Sequence, residues 1–468
     1  MNYIDGKFQN GSGDQLRVYD KYTKEEIGSI QMASEPDVIK AINSANTAFG
    51  ITKHLSAGER KHILHSMADK LLERKEIIVQ TIVAEAGKPV DYANTELVRA
   101  EQTLRLAAEN AIRFEGEKLN IDYGMAVGRT AFTQYMPMGV IAGITPFNFP
   151  LNLMMHKVAP AIATGNSIII KPASSTPLTA VEFAKIIDGI DIPRGMFNLV
   201  ITPGSKMNMI VESERVQKIS FTGSDKVGWG IKARSGKKHV TLELGGNAPV
   251  IIDKNANLEK AAKEVAYGVL LYAGQICIST QRIIIVDEIY QEFRDRLIAE
   301  VETTKFGNPH EAGTVSGSLI SEQDLVRINE WVNEAKASGG KLLTGGEYNS
   351  EHNLYHPTLI ENAADNSKVI RDEVFGPLGV LQRAKNFAEA VNIANDTRFG
   401  LQCGVYTDSL ENMKLSQNEL RYGGVIFNSV PGFRMDAMPY GGVGDSGFGR
   451  EGIKYAMESM VETKLIVY

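Results

Sequence analysis

Between Gly139 and Leu244, short apolar runs alternate with segments of helical pattern, and this alternation constrains the fold more than any other feature of the chain. The apolar runs lie at 140–144, 167–170, 198–201, 218–222 and 240–244. Helical patterns or helix starts fill the gaps, at 151–163, 177–188, 205–212 and 226–234. Branched and apolar runs suit a pleated sheet. Strand, helix, strand at this spacing builds βαβ units around a parallel sheet covered on both faces. A second alternating region follows Gly246, with strands expected at 249–252 and 282–286 and helices at 258–273 and 288–304. Two α/β domains are therefore expected, both doubly wound.

The first hundred residues read as helical after a short strand region. Ser56 and Glu59 form the S-x-x-E pattern that closes a helix N-terminus, and Ile63, Met67 and Leu71 then repeat on one face. Gly87 and Pro89 stop that run, and a second amphipathic stretch spans about 91–114. Residues 130–155 hold no charge and imitate a membrane span, but Pro137, Pro146 and Pro150 fall inside them. An unbroken helix through three prolines is untenable, so a buried strand followed by a turn is expected there. The tail, 462–468, reads as a strand.

The 468 residues carry 50 basic and 56 acidic side chains, with no lysine- or arginine-rich block. That excludes a general nucleic-acid binder. Only two cysteines occur, Cys277 and Cys403, which excludes a disulfide scaffold and a cysteine-based zinc site. The histidine pairs His62/His65 and His352/His356 lack any H-E-x-x-H pattern, so no metal is expected. Asp5, Lys7 and Asp14 occupy the stretch where a signal peptide needs an apolar core, and this with the scarce cysteine points to the cytoplasm.

Gly442, Gly444 and Gly447 match G-x-G-x-x-G, but Pro439 just before them is a poor strand ending, so a glycine-rich connection is favoured. Phe221-Thr222-Gly223-Ser224 is a stronger phosphate candidate. It ends a strand and opens a helix, whose N-terminus presents free N–H groups. Lys171 ends an apolar strand, where ligands bind in open α/β sheets; a lone lysine there more often marks a solvated terminus. Glu243 closes another apolar strand before Gly245 and Gly246, and burial there would raise its carboxyl pKa toward that of a general base. Cys277 falls in a polar, glycine-containing stretch that suits a turn, whereas Cys403 sits in an apolar run that suits packing.

In order along the chain, Thr145-Pro146-Phe147-Asn148-Phe149-Pro150, Lys171-Pro172, Phe221-Thr222-Gly223-Ser224 and Leu242-Glu243-Leu244-Gly245-Gly246 precede Gly274-Gln275-Ile276-Cys277. Glu373-Val374-Phe375-Gly376-Pro377 and Gly447-Phe448-Gly449-Arg450-Glu451 follow. This series resembles the aldehyde dehydrogenase superfamily over nearly the whole chain. The resemblance looks closest to oxidisers of lactaldehyde-like, semialdehyde or phosphorylated aldehydes. It implies a Cys277 nucleophile, a Glu243 base that activates water, and an oxyanion site made by Asn148 and the Cys277 N–H. Lys157 and Glu451 would relay the proton.

The same resemblance implies NAD or NADP in a cleft lined by Ile144, Thr145, Pro146, Phe147, Lys171, Ser174, Gly204, Gly223, Ser224, Leu244, Glu373 and Phe375. Strictly NAD-preferring members carry a glutamate where this chain has Ser174, so NADP is expected to serve at least as well. His156 and Arg434 fall on the substrate side, and Arg434 could hold an anionic group. Leu271 replaces an arginine of some semialdehyde enzymes, which weakens a succinate-semialdehyde reading. Glu243 favours hydrolysis to the free acid over transfer to coenzyme A, the alternative; a non-enzymatic protein of the same fold is the other. The implied domains are 1–118 with 138–245 for the cofactor, 246–445 for catalysis, and 119–137 with 461–468 as a bridging sheet. That sheet implies a homodimer or homotetramer.

Overall fold

The computed structural model describes all 468 residues. Its largest sheet is built on five parallel strands, in the spatial order Phe197–Leu199, Ser167–Lys171, Val140–Ile144, Val216–Thr222, His239–Glu243. Antiparallel strands extend both edges: Asn2–Ile4 and Lys7–Gln9 on one side, Gly447–Phe448 on the other. Ile168 and Ile170 face one buried layer, with Met67, Leu97, Leu104 and Met154, while Ile169 faces a second, with Val38, Ile42 and Ile219. Apolar side chains on both faces are what turn these strands into continuous apolar runs. Each fully buried isoleucine contributes about 1.5–3 kcal/mol.

Strand order reverses between Val140–Ile144 and Val216–Thr222, because the chain winds outward in opposite directions from that pair. Such a switch point opens a crevice at the carboxyl ends of its strands. Thr145 and Gly223 follow those two ends directly.

A second sheet, of seven strands, runs in the order Lys341–Thr344, Thr358–Glu361, Leu378–Ala384, Arg282–Val286, Pro249–Ile252, Gln402–Tyr406, Gly424–Phe427, with only the first strand antiparallel. A three-stranded sheet joins Lys118–Leu119, Ala131–Pro137 and Val461–Val467. Helix Ile453–Glu458 packs back on helix Asn152–Ala163, and Gly447–Phe448 pairs with the strand carrying Glu243, so this C-terminal stretch returns to the first sheet. No helix is long and apolar enough to cross a membrane.

The Ser56–Glu59 pattern does close a helix, Ala57–Glu73: the Glu59 N–H donates to Ser56 Oγ at 3.2 Å and the Ser56 N–H donates back to Glu59 at 2.7 Å. Residues 130–155 hold the expected buried strand and turn, with one further strand before them. They form two strands in different sheets, Ala131–Pro137 and Val140–Ile144, and then enter helix Asn152–Ala163. The helix expected over 258–273 stops at Leu270. Tyr272 and Ala273 there adopt left-handed backbone, at φ +53° and +52°.

Candidate active site

Two cavities meet at Cys277. A cleft of about 510 Å³ opens at the switch point, and a narrow chamber lies behind it; Leu153, Thr222, Glu243 and Cys277 line both.

The cleft is walled by Ile144, Thr145, Pro146, Phe147, Asn148, Lys171, Ser174, Gly204, Gly223, Ser224, Leu244, Glu373 and Phe375. Every cofactor residue expected from the sequence is thus brought to one surface. Lys171 is not a solvated terminus: it is 6% exposed and has no charged partner, and burial lowers its pKa to about 8. Thr145 Oγ1 is buried without a hydrogen-bond partner. Glu373 accepts from the Gly246 N–H at 2.9 Å, and burial raises it to about 7. Gly245 lets the Glu373 carboxylate approach closely: a Cβ there would fall 2.3 Å from it and displace it. An unpaired amine, an unpaired hydroxyl and a nearly neutral carboxyl along an elongated cleft fit the hydroxyls and phosphates of a dinucleotide. Helix Asp225–Arg234 adds its N-terminus beside Ser224.

The turn that carries Cys277 is shaped by its left-handed run. Tyr272, Ala273 and Gly274 all have positive φ, and a Cβ on Gly274 would sit 2.0 Å from the Gly376 carbonyl. The Tyr272 hydroxyl anchors the run by donating to the Ala86 carbonyl at 2.9 Å. Left-handed backbone costs about 1–2 kcal/mol per non-glycine residue, so this turn stores strain that its surroundings must hold. Burial pushes the Cys277 thiol up to about 12, and its sulfur lies 3.0 Å from the Tyr440 hydroxyl. The Cys277 backbone N–H donates to no protein acceptor. Asn148 Nδ2 spends one hydrogen on the Gln275 carbonyl at 2.9 Å and keeps its second. Two donors thus remain for a substrate oxygen.

Glu243 is buried with neither carboxylate oxygen hydrogen-bonded. Burial, then the neighbouring charge of Glu451, holds its pKa well above the carboxylate range. Burial works on Glu451 too, yet the Lys157 ammonium at 2.7 Å overcomes it and holds that carboxyl down at about 2. Lys157 also donates to Thr222 at 2.8 Å. It lines neither cavity, and stands behind Glu451.

The chamber is lined by Tyr92, Arg99, Phe149, Asn152, Ile276, Ile278, Gly432, Arg434, Tyr440 and Glu451 besides the shared residues. The Arg434 side chain is 9% exposed; its Nε and Nη2 make no hydrogen bond, and Nη2 stands 3.5 Å from a Glu451 carboxylate oxygen. The substrate-side expectation fails for His156. It is 1% exposed, lines neither cavity and bonds Asp436 at 2.8 Å, so it braces the chamber wall from behind. Asp436 also takes two hydrogen bonds from Arg99, at 2.6 and 3.1 Å. Arg99, Asp436 and Tyr440 were not singled out from the sequence. A signal existed for Arg99: Glu96, Arg99 and Thr103 put polar groups on the face of helix Val90–Ala111 that otherwise buries alanine and leucine. Cys403 is fully buried in an apolar cluster, as its apolar run suggested. The glycine-rich 442–447 stretch opens a short 3-10 turn and a strand, and lines neither cavity.

Residues 8–466 match the model of the aldehyde dehydrogenase family. Lactaldehyde dehydrogenase of Methanococcus maripaludis is 40% identical over 99% of both chains. Among solved structures, aldehyde dehydrogenase 21 of Physcomitrella patens, in complex with the reaction product succinate, superposes with a TM-score of 0.96. It shares 38% identity and covers 100% of this chain and 97% of its own. Glyceraldehyde-3-phosphate dehydrogenase of Methanocaldococcus jannaschii, complexed with NADP, gives 0.93 at 37% identity, over 97% and 98%. The chain belongs to the aldehyde dehydrogenase family. It is an NAD(P)-dependent enzyme that oxidises a small aldehyde.

Proposed function

We propose that the substrate is a short aldehyde with an anionic group at its far end, released as the free acid. The observation that carries this is Arg434, which lines a chamber that opens on Cys277 and whose Nε and Nη2 make no hydrogen bond, Nη2 having only a 3.5 Å ion pair with Glu451. A buried arginine with free N–H groups calls for an anion, and a charged hydrogen bond there is worth about 1.5–3 kcal/mol. The positive charge missing at Leu271 is thus supplied from elsewhere in the fold. The succinate held by one solved relative and the phosphorylated aldehyde in the name of another support the reading.

In the mechanism, Cys277 gives its thiol proton to solvent, and the thiolate sulfur attacks the aldehyde carbon. The second hydrogen of Asn148 Nδ2 and the Cys277 N–H then hold the oxyanion; losing one such donor typically costs about 10²–10³ in rate. Lys171, Ser174, Glu373 and Phe375 line the cleft that would hold the nicotinamide cofactor, which would supply the hydride acceptor. The acyl group stays on Cys277 as a thioester. Glu243 takes a proton from water, whose oxygen attacks the thioester and releases the acid, and Glu451 with Lys157 passes the proton on.

Absorbance of NAD(P)H tests the substrate class, with succinate semialdehyde, glyceraldehyde 3-phosphate and lactaldehyde as candidates. Arg434→Met is expected to lower kcat/KM for the anionic aldehydes by roughly 10–100-fold relative to lactaldehyde. An unchanged ratio would refute the anionic reading. In the same assay NADP is expected to serve at least as well as NAD, because Ser174 lacks a carboxylate to repel a 2′-phosphate. Lys171 is cationic below about 8 and neutral above, so the NADP advantage should shrink as pH rises through that value. A fixed NAD preference at every pH would contradict this.

The three sheets support a cofactor unit of 1–118 with 138–245, a catalytic unit of 246–445, and a joining sheet of 119–137 with 461–468. Strand Val461–Val467 lies at the edge of its sheet with Leu465 and Val467 exposed. An apolar edge of that kind seeks a partner strand, which supports a homodimer or homotetramer; a monomer on sedimentation would overturn it. A reducing cytoplasm suits a catalytic thiol that must stay free.

A further inference from the structure

The Cys277 sulfur has one polar side-chain partner, and it belongs to a residue far off in sequence. Tyr440 places its hydroxyl 3.0 Å from Sγ, and that sulfur is the only hydrogen-bond partner of the hydroxyl. The tyrosine is 4% exposed and packs with Ile278 and Leu401. Its backbone is pinned to Glu451: the Tyr440 N–H donates to the Glu451 carbonyl at 3.0 Å, and the Glu451 N–H donates back at 2.6 Å. Above the ring stands Arg434, with its guanidinium carbon 3.6 Å from the ring centre. The hydroxyl is therefore held on the nucleophile from three sides, by main chain, apolar packing and a stacked cation.

We propose that Tyr440 is a further catalytic residue of this chain, whose hydroxyl donates to the Cys277 thiolate and holds the sulfur charged and in place between cleft and chamber. The proposal rests on Cys277 being the nucleophile. In the resting thiol either oxygen or sulfur can donate across the 3.0 Å contact. Once the thiol proton has left, sulfur carries only lone pairs, and the contact survives only with the phenol as donor. A hydrogen bond to a charged acceptor is stronger than a neutral one. The phenol keeps its proton, because burial holds its own pKa well above the ordinary range.

Other groups around the sulfur pull both ways. Glu373 and Glu243 oppose a negative sulfur, whereas Arg434 and Tyr440 favour it. Arg434 is stacked on the ring and spaced 3.5 Å from Glu451, so its charge polarises the phenol as well as facing the substrate. When sulfur bonds to the aldehyde carbon, its charge moves to the oxyanion and the phenol contact weakens. Tyr440 therefore acts on the population of thiolate, and the oxyanion donors act on the step that follows.

The test is the pH dependence of iodoacetamide alkylation in the full-length enzyme, with the modified peptide identified by mass spectrometry. Tyr440→Phe keeps the ring, the packing and the stacked arginine and removes only the hydroxyl. Its alkylation midpoint at Cys277 is expected to rise by about 1–2 pH units. Its plateau rate at high pH should equal or exceed that of the unmodified protein, because a more basic thiolate is the better nucleophile. The ultraviolet absorbance of the thiolate, read against Cys277→Ser, should titrate with the same displaced midpoint. A midpoint that stays in place or falls would show that the hydroxyl only packs or accepts, and would overturn the proposal. Alkylation confined to Cys403 in the unmodified protein would instead refute the nucleophile on which the proposal rests.

Discussion

Cys277→Ser is expected to lower aldehyde-dependent NAD(P)H formation by roughly 10³-fold or more, while cofactor affinity stays within about twofold. The size follows from chemistry. A buried thiol here already needs help to ionise, and a serine hydroxyl starts several units less acidic with the same neighbours. Tyr440 cannot supply that difference, since burial holds its own pKa well above the ordinary range and leaves it a donor. The residues lining the cofactor cleft remain in place, because the substitution exchanges one sulfur for oxygen and leaves the Asn148–Gln275 hydrogen bond between cleft and turn intact. A rate within tenfold of the parent, by the absorbance assay, would mean that the sulfur is not the nucleophile.

Glu243→Gln separates the two halves of the reaction. The first turnover should release about one NAD(P)H per Cys277, and the steady rate afterwards should fall by roughly 10²–10⁴. Glutamine keeps the shape of the side chain and cannot accept a proton from water, so acylation proceeds and deacylation stalls. The sign of the pH effect in the parent enzyme follows from the raised pKa of Glu243, set by burial and by Glu451. Below that pKa the carboxyl is protonated and cannot act as base. Steady turnover should therefore climb with pH as Glu243 ionises, and that rise should vanish in the glutamine variant. Stopped-flow absorbance measures both; a variant with no burst would place Glu243 in acylation instead.

How far the site could be read from the sequence depended on whether its parts were local. Ile168-Ile169-Ile170 announced its strand because apolar side chains were needed on both faces, and the strands at 249–252 and 282–286 formed as expected for the same reason. Motif segments that end strands at the switch point converged on one cleft, since the sheet itself brings strand ends together. The turn before Cys277 was different. Helical pattern continued through Ala273, and tertiary contacts, the Tyr272 hydroxyl on the Ala86 carbonyl and the Tyr272 N–H on the Val315 carbonyl, hold the left-handed run.

Partners that meet across hundreds of residues left no local mark. Asp436 joins Arg99, 337 positions away, to His156, 280 away, and no spacing rule reports such a triad. Hence His156 was assigned to the substrate although it stands behind the wall, and Arg99 went unnoticed although it lines the chamber. Lys171 shows the opposite case. Its place at a strand end was read correctly, but its burial depends on the cleft around it.

The whole mechanism depends on oxidation passing through an acyl group carried on Cys277. It is tested most directly by acid-quenching Glu243→Gln after one turnover with aldehyde and NADP, and weighing its peptides by mass spectrometry. An acyl mass on the peptide containing Cys277, present only when both reactants were added, is the predicted result. An unmodified Cys277 after a full equivalent of NADPH has formed would contradict the account.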